Sequence, residues 1–459
     1  MEKNYICRYS GLKLLLRTFL IGAVFASCKG FLEVEPKEAI DEKLAITNAA
    51  SLQTAIRGAY RALGDNSYYG EGYVNLGFVP GGDVIYNVAD NLSNLNFRAD
   101  VGDFGNVWLG IYNTINIANN IIQAAPTIQD VNLSDEERNQ VLGEAHFIRA
   151  LAYFDLARGW GGVPIKQVPT TDVDEDLGIE RSSLADTYAF VLEELNRAEN
   201  LLPETVNRIR ATKYTVWALK ARFFLYNQRW REAEEYAGKI LDLSSQYQLT
   251  RPFSAWFLNG VVQTTESIFE LAYSAQNPSG LRTRMSLLSS GGEYRYRPGD
   301  PVINALRNPF TGGARVALLD SATQSGTKQF AGALYYRSPA TDPSYVLRLA
   351  EQYLIRAEAR VHNGALDEAI ADINAVRSRA NLPATTAAGE DALLEIILEE
   401  RRLEFLWEAH RYFDLTRTGK LKEKIEELKP NLSIQPHLNL FPIPIDEVIL
   451  GGLTQNPNY

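Results

Sequence analysis

The stretch YTVWALKARFFLYNQRWREAEEYAGKILDL, Tyr214 to Leu243, decides the fold class. Trp217, Ala221, Phe224 and Ala233 fall at the offsets of a tetratricopeptide repeat, two antiparallel helices broken at Asn227-Gln228. The alanines let the two helices approach closely, while the larger residues fill the next layer. A second match runs from Ala350 to Asn381, with Tyr353, Ala357, Ala369 and Ile373, and breaks at Asn363-Gly364. Neither copy carries the usual Pro at its expected offset. A single repeat cannot bury its faces alone, so further helices, 108–125 with 136–158 and 184–201, are expected to complete the stack. An earlier helix starts at Thr47-Asn48 and places Leu52, Ala55, Ile56, Ala59, Tyr60 and Leu63 on one face. Strand-like alternation is scarce. The chain reads as mostly α, a tetratricopeptide-like helical-repeat scaffold.

Two stretches depart from that pattern. Residues 64–106 are loop-rich and dense in Gly, Asn, Asp and Tyr. Residues 251–345 are rich in Gly, Ser, Thr, Pro, Arg and Tyr and are too long for an ordinary loop. They read as an irregular, variable lobe inserted into the scaffold (47–250 and 346–459) and carried on its surface. Loops held on rigid scaffolds are where binding usually sits.

At the other end, Lys3, Arg8, Lys13 and Arg17 precede or open an apolar run, Thr18 to Ser27, which ends at Cys28. That is the pattern of a bacterial lipoprotein signal peptide over 1–27, cleaved to leave an acylated Cys28. Phe25 stands where Leu is usual. The run is too short to span a bilayer comfortably, so the expected membrane contact is the lipid, with 28–46 as a polar tether. A plain secretory signal and a structural N-terminal helix are the other readings of this segment.

Cleavage takes away four basic residues and one acid and moves the formal charge from −10 to −13. Such a chain does not bind nucleic acid by neutralising phosphates. Cys7 leaves with the signal, so no disulfide is available to the mature form. The four histidines, at 146, 362, 410 and 437, show no metal-ligand spacing. There is no GxSxG, and Gly159 to Gly162 lacks the Lys and Ser/Thr of a phosphate loop. Asp172 to Gly178 resembles the start of a calcium loop. Its Gly falls one place late and Ser183 stands where a bidentate Glu is needed, which excludes an EF-hand and leaves only a looser calcium site. Spacing alone does not exclude paired glycosidase carboxylates, which converge only in a fold. No cofactor and no catalytic residue is indicated, and the expectation is a binding protein.

Three more stretches carry a family resemblance: GEAHFIRALAYFDL, 143–156, followed by GGVPI, 161–165; EERRLEFLWEAHRYFDLTRTGK, 399–420; and FPIPIDE, 441–447, with QNPNY, 455–459. With the cysteine, the Gly58-Ala-Tyr60 helix and the repeats, they resemble the SusD/RagB family of outer-membrane nutrient-binding lipoproteins over nearly the whole mature chain. Asn458 stands where the family usually has Gly. The resemblance implies a surface protein that captures oligosaccharide, or in some members peptide, and delivers it to a SusC-type TonB-dependent transporter. A periplasm-facing helical-repeat assembly factor and a lipid-anchored glycosidase are the readings from other classes. The 399–420 motif reads physically as one helix, Glu399 to Arg417, whose charged Arg401, Arg402, Glu404, Glu408, Arg411 and Asp414 must find partners. Arg149 and Asp155 read the same way.

A sugar presents C–H faces ringed by hydroxyls, so binding it takes flat aromatic platforms and planar polar groups. The 64–106 loop offers Tyr68, Tyr69, Tyr73, Asp83, Tyr86, Asn91, Asn94, Asn96, Phe97 and Arg98, and the inserted lobe offers Tyr294, Arg295, Tyr296 and Arg297, with Tyr335, Tyr336 and Arg337 further on. In the family the ligand is held between such a loop and the lobe. The expected contacts are Asp83, Tyr86, Phe97, Arg98, Tyr294, Arg295 and Tyr296. In an extended segment Tyr294 and Tyr296 share one face. The competing reading is that these tyrosines pin their loops to the scaffold.

Overall fold

The computed structural model describes residues 46–87, 91–170, 179–258, 260–324 and 326–459. The signal segment, Cys28, the tether through residue 45 and the calcium-like loop at 172–178 lie outside the described residues. The first half runs α1 (Ala49–Leu63), α2 (Gly72–Phe78), β1 (Val84–Tyr86), α3 (Gly102–Ala124), α4 (Asp135–Trp160), α5 (Leu184–Leu201), α6 (Lys213–Tyr226) and α7 (Trp230–Leu241). Next come β2 (Ser267–Leu271), α8 (Gly280–Met285), β3 (Tyr296–Pro298), α9 (Asp300–Arg307), β4 (Leu319–Gln324), β5 (Thr327–Gly332) and β6 (Ser344–Arg348). The chain closes with α10 (Leu349–His362), α11 (Leu366–Arg379), α12 (Glu390–Glu404), α13 (Arg411–Arg417), α14 (Leu421–Leu428) and α15 (Ile445–Ile449).

The two repeats are α6–α7 and α10–α11, each an antiparallel pair joined at the expected turn. Helices α3, α4, α5, α6 and α7 pack each on the next, and α7 packs directly on α10 although a hundred residues separate them. The intervening segment therefore leaves the stack and returns to it without interrupting it. The caps follow from sequence: Ser134 accepts from the Glu137 amide at 3.2 Å while Glu137 accepts from the Ser134 amide at 3.1 Å, opening α4. Thr212 and Thr215 do the same for α6. From Gly143 onward α4 is buried all round, which is why that stretch shows no amphipathic stripe.

The inserted segment is not simply carried on the surface. Strand β2 pairs antiparallel with β6, both wholly buried, and Arg315, Trp256 and Tyr335 are buried with them. Strands β4 and β5 form a hairpin, and β1 pairs with β3 in the register Tyr86 to Tyr296. No helix among the described residues is long and apolar enough to cross a membrane.

The expected single helix from Glu399 to Arg417 is two helices. Helix α12 stops at Glu404, and α13 starts at Arg411. The break at 405–410 has packing causes. Trp407 turns inward and donates from Nε1 to the Leu318 carbonyl at 2.9 Å, and Glu408 is delivered to Arg348 at 2.6 Å. Ala409 receives α2 at Gly77, where an added Cβ would stand 2.4 Å from the Ala409 Cα. Gly77→Ala is therefore expected to cost about 1–3 kcal/mol by overpacking backbone on backbone. A urea unfolding midpoint unchanged from the parent would refute that close approach.

The charged residues of this region pair and, Arg402 apart, are buried, although Arg411 reaches Asp83 only at 3.7 Å. Arg401 meets Asp414 at 2.8 Å, Arg402 meets Asp83, and Arg149 meets Glu194 at 2.7 Å. Arg315, Arg348 and Arg379 share Glu266, Glu400, Glu404 and Glu408, so the inserted segment and the repeats are joined by one ion network.

Candidate functional site

A cleft of ≈ 560 Å³ opens between the early loop, the start of α3 and the β1–β3 pair. Its aromatic element is Tyr86. Pairing of β1 with β3 sets Tyr86 opposite Tyr296, and the rings stack at 4.9 Å with 27° between planes. Tyr296 is itself buried, edge-on to Phe78 at 5.6 Å, and its hydroxyl accepts from the Asn75 amide. Tyr296 is thus the backing that holds Tyr86 flat, and half-buried Tyr86 is the platform.

Polar groups surround the platform. Arg284 donates from Nε to Glu71 at 3.0 Å and also pairs with Glu293. Burial pushes the Glu71 carboxyl up, and Arg284 reverses only part of the shift. Asp103, in the first turn of α3, is pushed up by burial alone. Asn106 and Asn113 stand exposed on the same helix, and their amides make no hydrogen bond to another described side chain. The cleft can therefore offer one flat ring, free amides and carboxylate acceptors. Among the described residues no group of three His, Cys, Asp or Glu could hold a metal ion.

Of the expected contacts, the structure brings Tyr86 and Tyr296 together here, with Arg295 beside Arg284 through a backbone bond of 2.7 Å. Others go elsewhere. Asp83 is buried and takes a bidentate pair from Arg402 at 2.6–3.0 Å, which anchors β1 to α12. Phe97 is buried among Phe104, Tyr412 and Phe441. Neither presents a face to a ligand, because the core needs the ring and the arginine needs the carboxylate. Arg98 is exposed and occupied by Asp100 at 2.9 Å, outside the cleft lining. Tyr294 does not share a strand face with Tyr296. Its φ of +49° breaks the alternation, and its hydroxyl donates to the Phe330 carbonyl at 3.0 Å. Arg295 is paired to Glu293 rather than open.

The early tyrosines also resolve as anchors. Tyr68, Tyr69 and Tyr73 all donate to Asp155, at 2.6, 2.8 and 2.9 Å. Sequence reasoning missed Glu71, Asn75, Asp103, Asn106, Asn113 and Arg284. One signal for the helical pair was available: Asn106, Leu109 and Asn113 recur at helical spacing on the face opposite Val107, Trp108 and Ile111.

Comparison with known proteins agrees with this architecture. A family profile described as the SusD family matches residues 321–459, and one described as "Starch-binding associating with outer membrane" matches residues 30–225. A SusD-like protein of Formosa agariphila is 29% identical, covering 88% of this chain and 92% of its own length. A second from the same organism is 25% identical over 95% of this chain and 96% of its own. Among solved structures, a SusD superfamily protein from Bacteroides vulgatus superposes with a TM-score of 0.79 at 20% identity, covering 89% of this chain and 99% of that one. A laminarin-binding SusD-like protein superposes with a TM-score of 0.77 at 20% identity, covering 90% and 100%. The two profile matches span well over half of the sequence, and the helical-repeat scaffold is that of these structures: the chain belongs to the SusD/RagB family.

Proposed function

We propose that this protein captures a neutral glycan in the Tyr86 cleft and passes it to a SusC-type TonB-dependent transporter in the outer membrane, to which Cys28 lipidation tethers it. The observation that carries this reading is the stacked Tyr86–Tyr296 pair ringed by Asn106, Asn113, Asp103 and Glu71. A pyranose face laid on one ring removes about 60 Å² of apolar surface from water, worth roughly 1.5 kcal/mol. The amides and carboxylates then meet the hydroxyls around it. The charge favours neutral sugars: Arg284 is taken up by Glu71 and Glu293, which leaves Asp103 without a cation partner among the described residues, and the chain carries a net negative charge. The family description as starch-binding and the laminarin-binding fold relative support carbohydrate as the cargo class. The reading is of capture without catalysis.

The test is affinity electrophoresis of the chain lacking residues 1–27, with Cys28→Ala, in gels containing laminarin, starch, xylan, mannan or pectin. Retardation by a neutral polysaccharide is expected, with affinity reduced about tenfold in Tyr86→Ala, the loss of one ring platform. Retardation by pectin alone would overturn the neutral-sugar reading. Retardation by none would shift the cargo to peptide.

A further inference from the structure

A second cavity, of ≈ 620 Å³, lies along α3 between the Pro164 to Thr170 segment and the C-terminal residues 446–453. It shares Leu109 and Asn113 with the Tyr86 cleft, so the two hollows are neighbours on one helix ridge. The geometry points to a second glycan subsite here, so that the binding unit is a chain crossing Leu109 from one hollow to the other. This inference rests on the glycan reading above and extends it from a cargo class to a minimum length.

Three observations carry it. The ridge repeats along the helix: Asn106, Leu109, Asn113 and Asn116 lie three, four and three residues apart on one face, a span of about 15 Å at 1.5 Å per residue. A track of that length exceeds what one sugar ring needs. Leu109 is 61% exposed on the saddle between the hollows. An apolar side chain flanked by two amides suits the C–H face and hydroxyl rim of a crossing sugar. The second hollow also holds a ring, an amide and a carboxylate, and adds a cation, the Lys166 ammonium 5.2 Å from the Tyr112 centroid. Half-buried Tyr112 is set by Trp108 at 5.0 Å and by its hydroxyl donated to the Pro164 carbonyl at 2.8 Å. Asp446 supplies carboxylate, and Leu450, 72% exposed, supplies an apolar lip.

The deciding measurement is calorimetric titration of the same signal-free chain with a size-fractionated acid hydrolysate, disaccharide to heptasaccharide, of the polysaccharide that retards it. Affinity is expected to keep rising past the trisaccharide. Leu450→Glu and Asp446→Ala, both confined to the second hollow, are expected to cut the heptasaccharide-to-disaccharide affinity ratio about tenfold, whereas Tyr86→Ala weakens every length. Both positions are exposed, and a parental circular-dichroism melt shows that each variant is folded. A ratio unchanged in both variants, with Tyr86→Ala still weak, overturns the second subsite and leaves the glycan reading standing. Retardation of the parent by no polysaccharide overturns both.

Discussion

Arg348→Met is expected to lower the unfolding free energy by about 3–5 kcal/mol, because it strands buried carboxylates rather than because it removes a favourable pair. Arg348 is 1% exposed and reaches Glu266 at 2.8 Å, Glu404 at 3.2 Å and Glu408 at 2.6 Å. Its guanidinium also lies 4.1 Å from the centroid of Trp256. Three separated segments meet at this one side chain: residue 266 before β2, residue 348 before α10, and the α12 end with the following turn. Arg315 and Arg379 remain in the variant, yet Glu408 has no cation but Arg348 bonded to it among the described residues. Arg348→Met/Glu408→Gln should therefore recover a good part of the loss. Urea denaturation of the three proteins measures this, and a single-variant loss under about 1 kcal/mol would sink the account.

The same network gives an acid limit. Burial pushes the Glu404 carboxyl up, but Arg379, Arg315 and Arg348 more than reverse it and hold it at about 2. A carboxyl lowered in the folded state adds stability above its ordinary value of 4.5, lost as pH falls towards 2. Glu408 opposes this: burial leaves it raised despite Arg348, so its contribution declines as pH rises through its folded value. Glu404→Gln is expected to flatten the acid limb below about pH 4.5, at a cost in neutral stability.

Asp155→Ala is expected to be the second severe lesion, again about 3–5 kcal/mol, for it leaves a buried arginine and three phenols without their acceptor. Asp155 is fully buried on α4 and pairs with Arg158 one turn on. Arg158 sits between the Phe154 and Phe413 rings at 4.6 and 4.7 Å and donates to Tyr73 at 2.8 Å. Tyr68, Tyr69 and Tyr73 bracket Glu71, so this carboxylate also holds one wall of the cleft. Asp155→Asn keeps an acceptor and loses the charge. It should fold with a smaller loss, expose 64–73 to faster amide exchange and bind glycan more weakly. Parental exchange across 64–73 in Asp155→Asn would argue that the loop is held by its ring packing alone.

Much of the scaffold is legible in the sequence. Alanines at repeat offsets imply close helix pairs because nothing larger fits there, and Ser134 with Glu137 announces a helix start by its own hydrogen bonds. The charged run in 399–420 also had to be partnered, since isolated buried charge is prohibitive. The site was less legible. Loop tyrosines look alike in sequence whether they border a cleft or bond a carboxylate, and Tyr73 differs from Tyr86 in having Asp155 across the gap. Phe97 and Asp83 carry sugar-binding chemistry by type, yet partners more than 300 residues away, Phe441 and Arg402, take them up.

Local rules therefore account for what depends on neighbours within a few turns: helix identity, repeat pairing, turn positions and the demand for ion partners. Long-range packing alone decided the rest. It broke the 399–417 helix to seat Gly77 and deliver Glu408, drew the inserted segment into the core through Arg315 and Arg348, and left Tyr86 as the half-buried ring at the cleft. Each of those outcomes depends on contacts between segments far apart in the chain, whose partners no periodicity reveals.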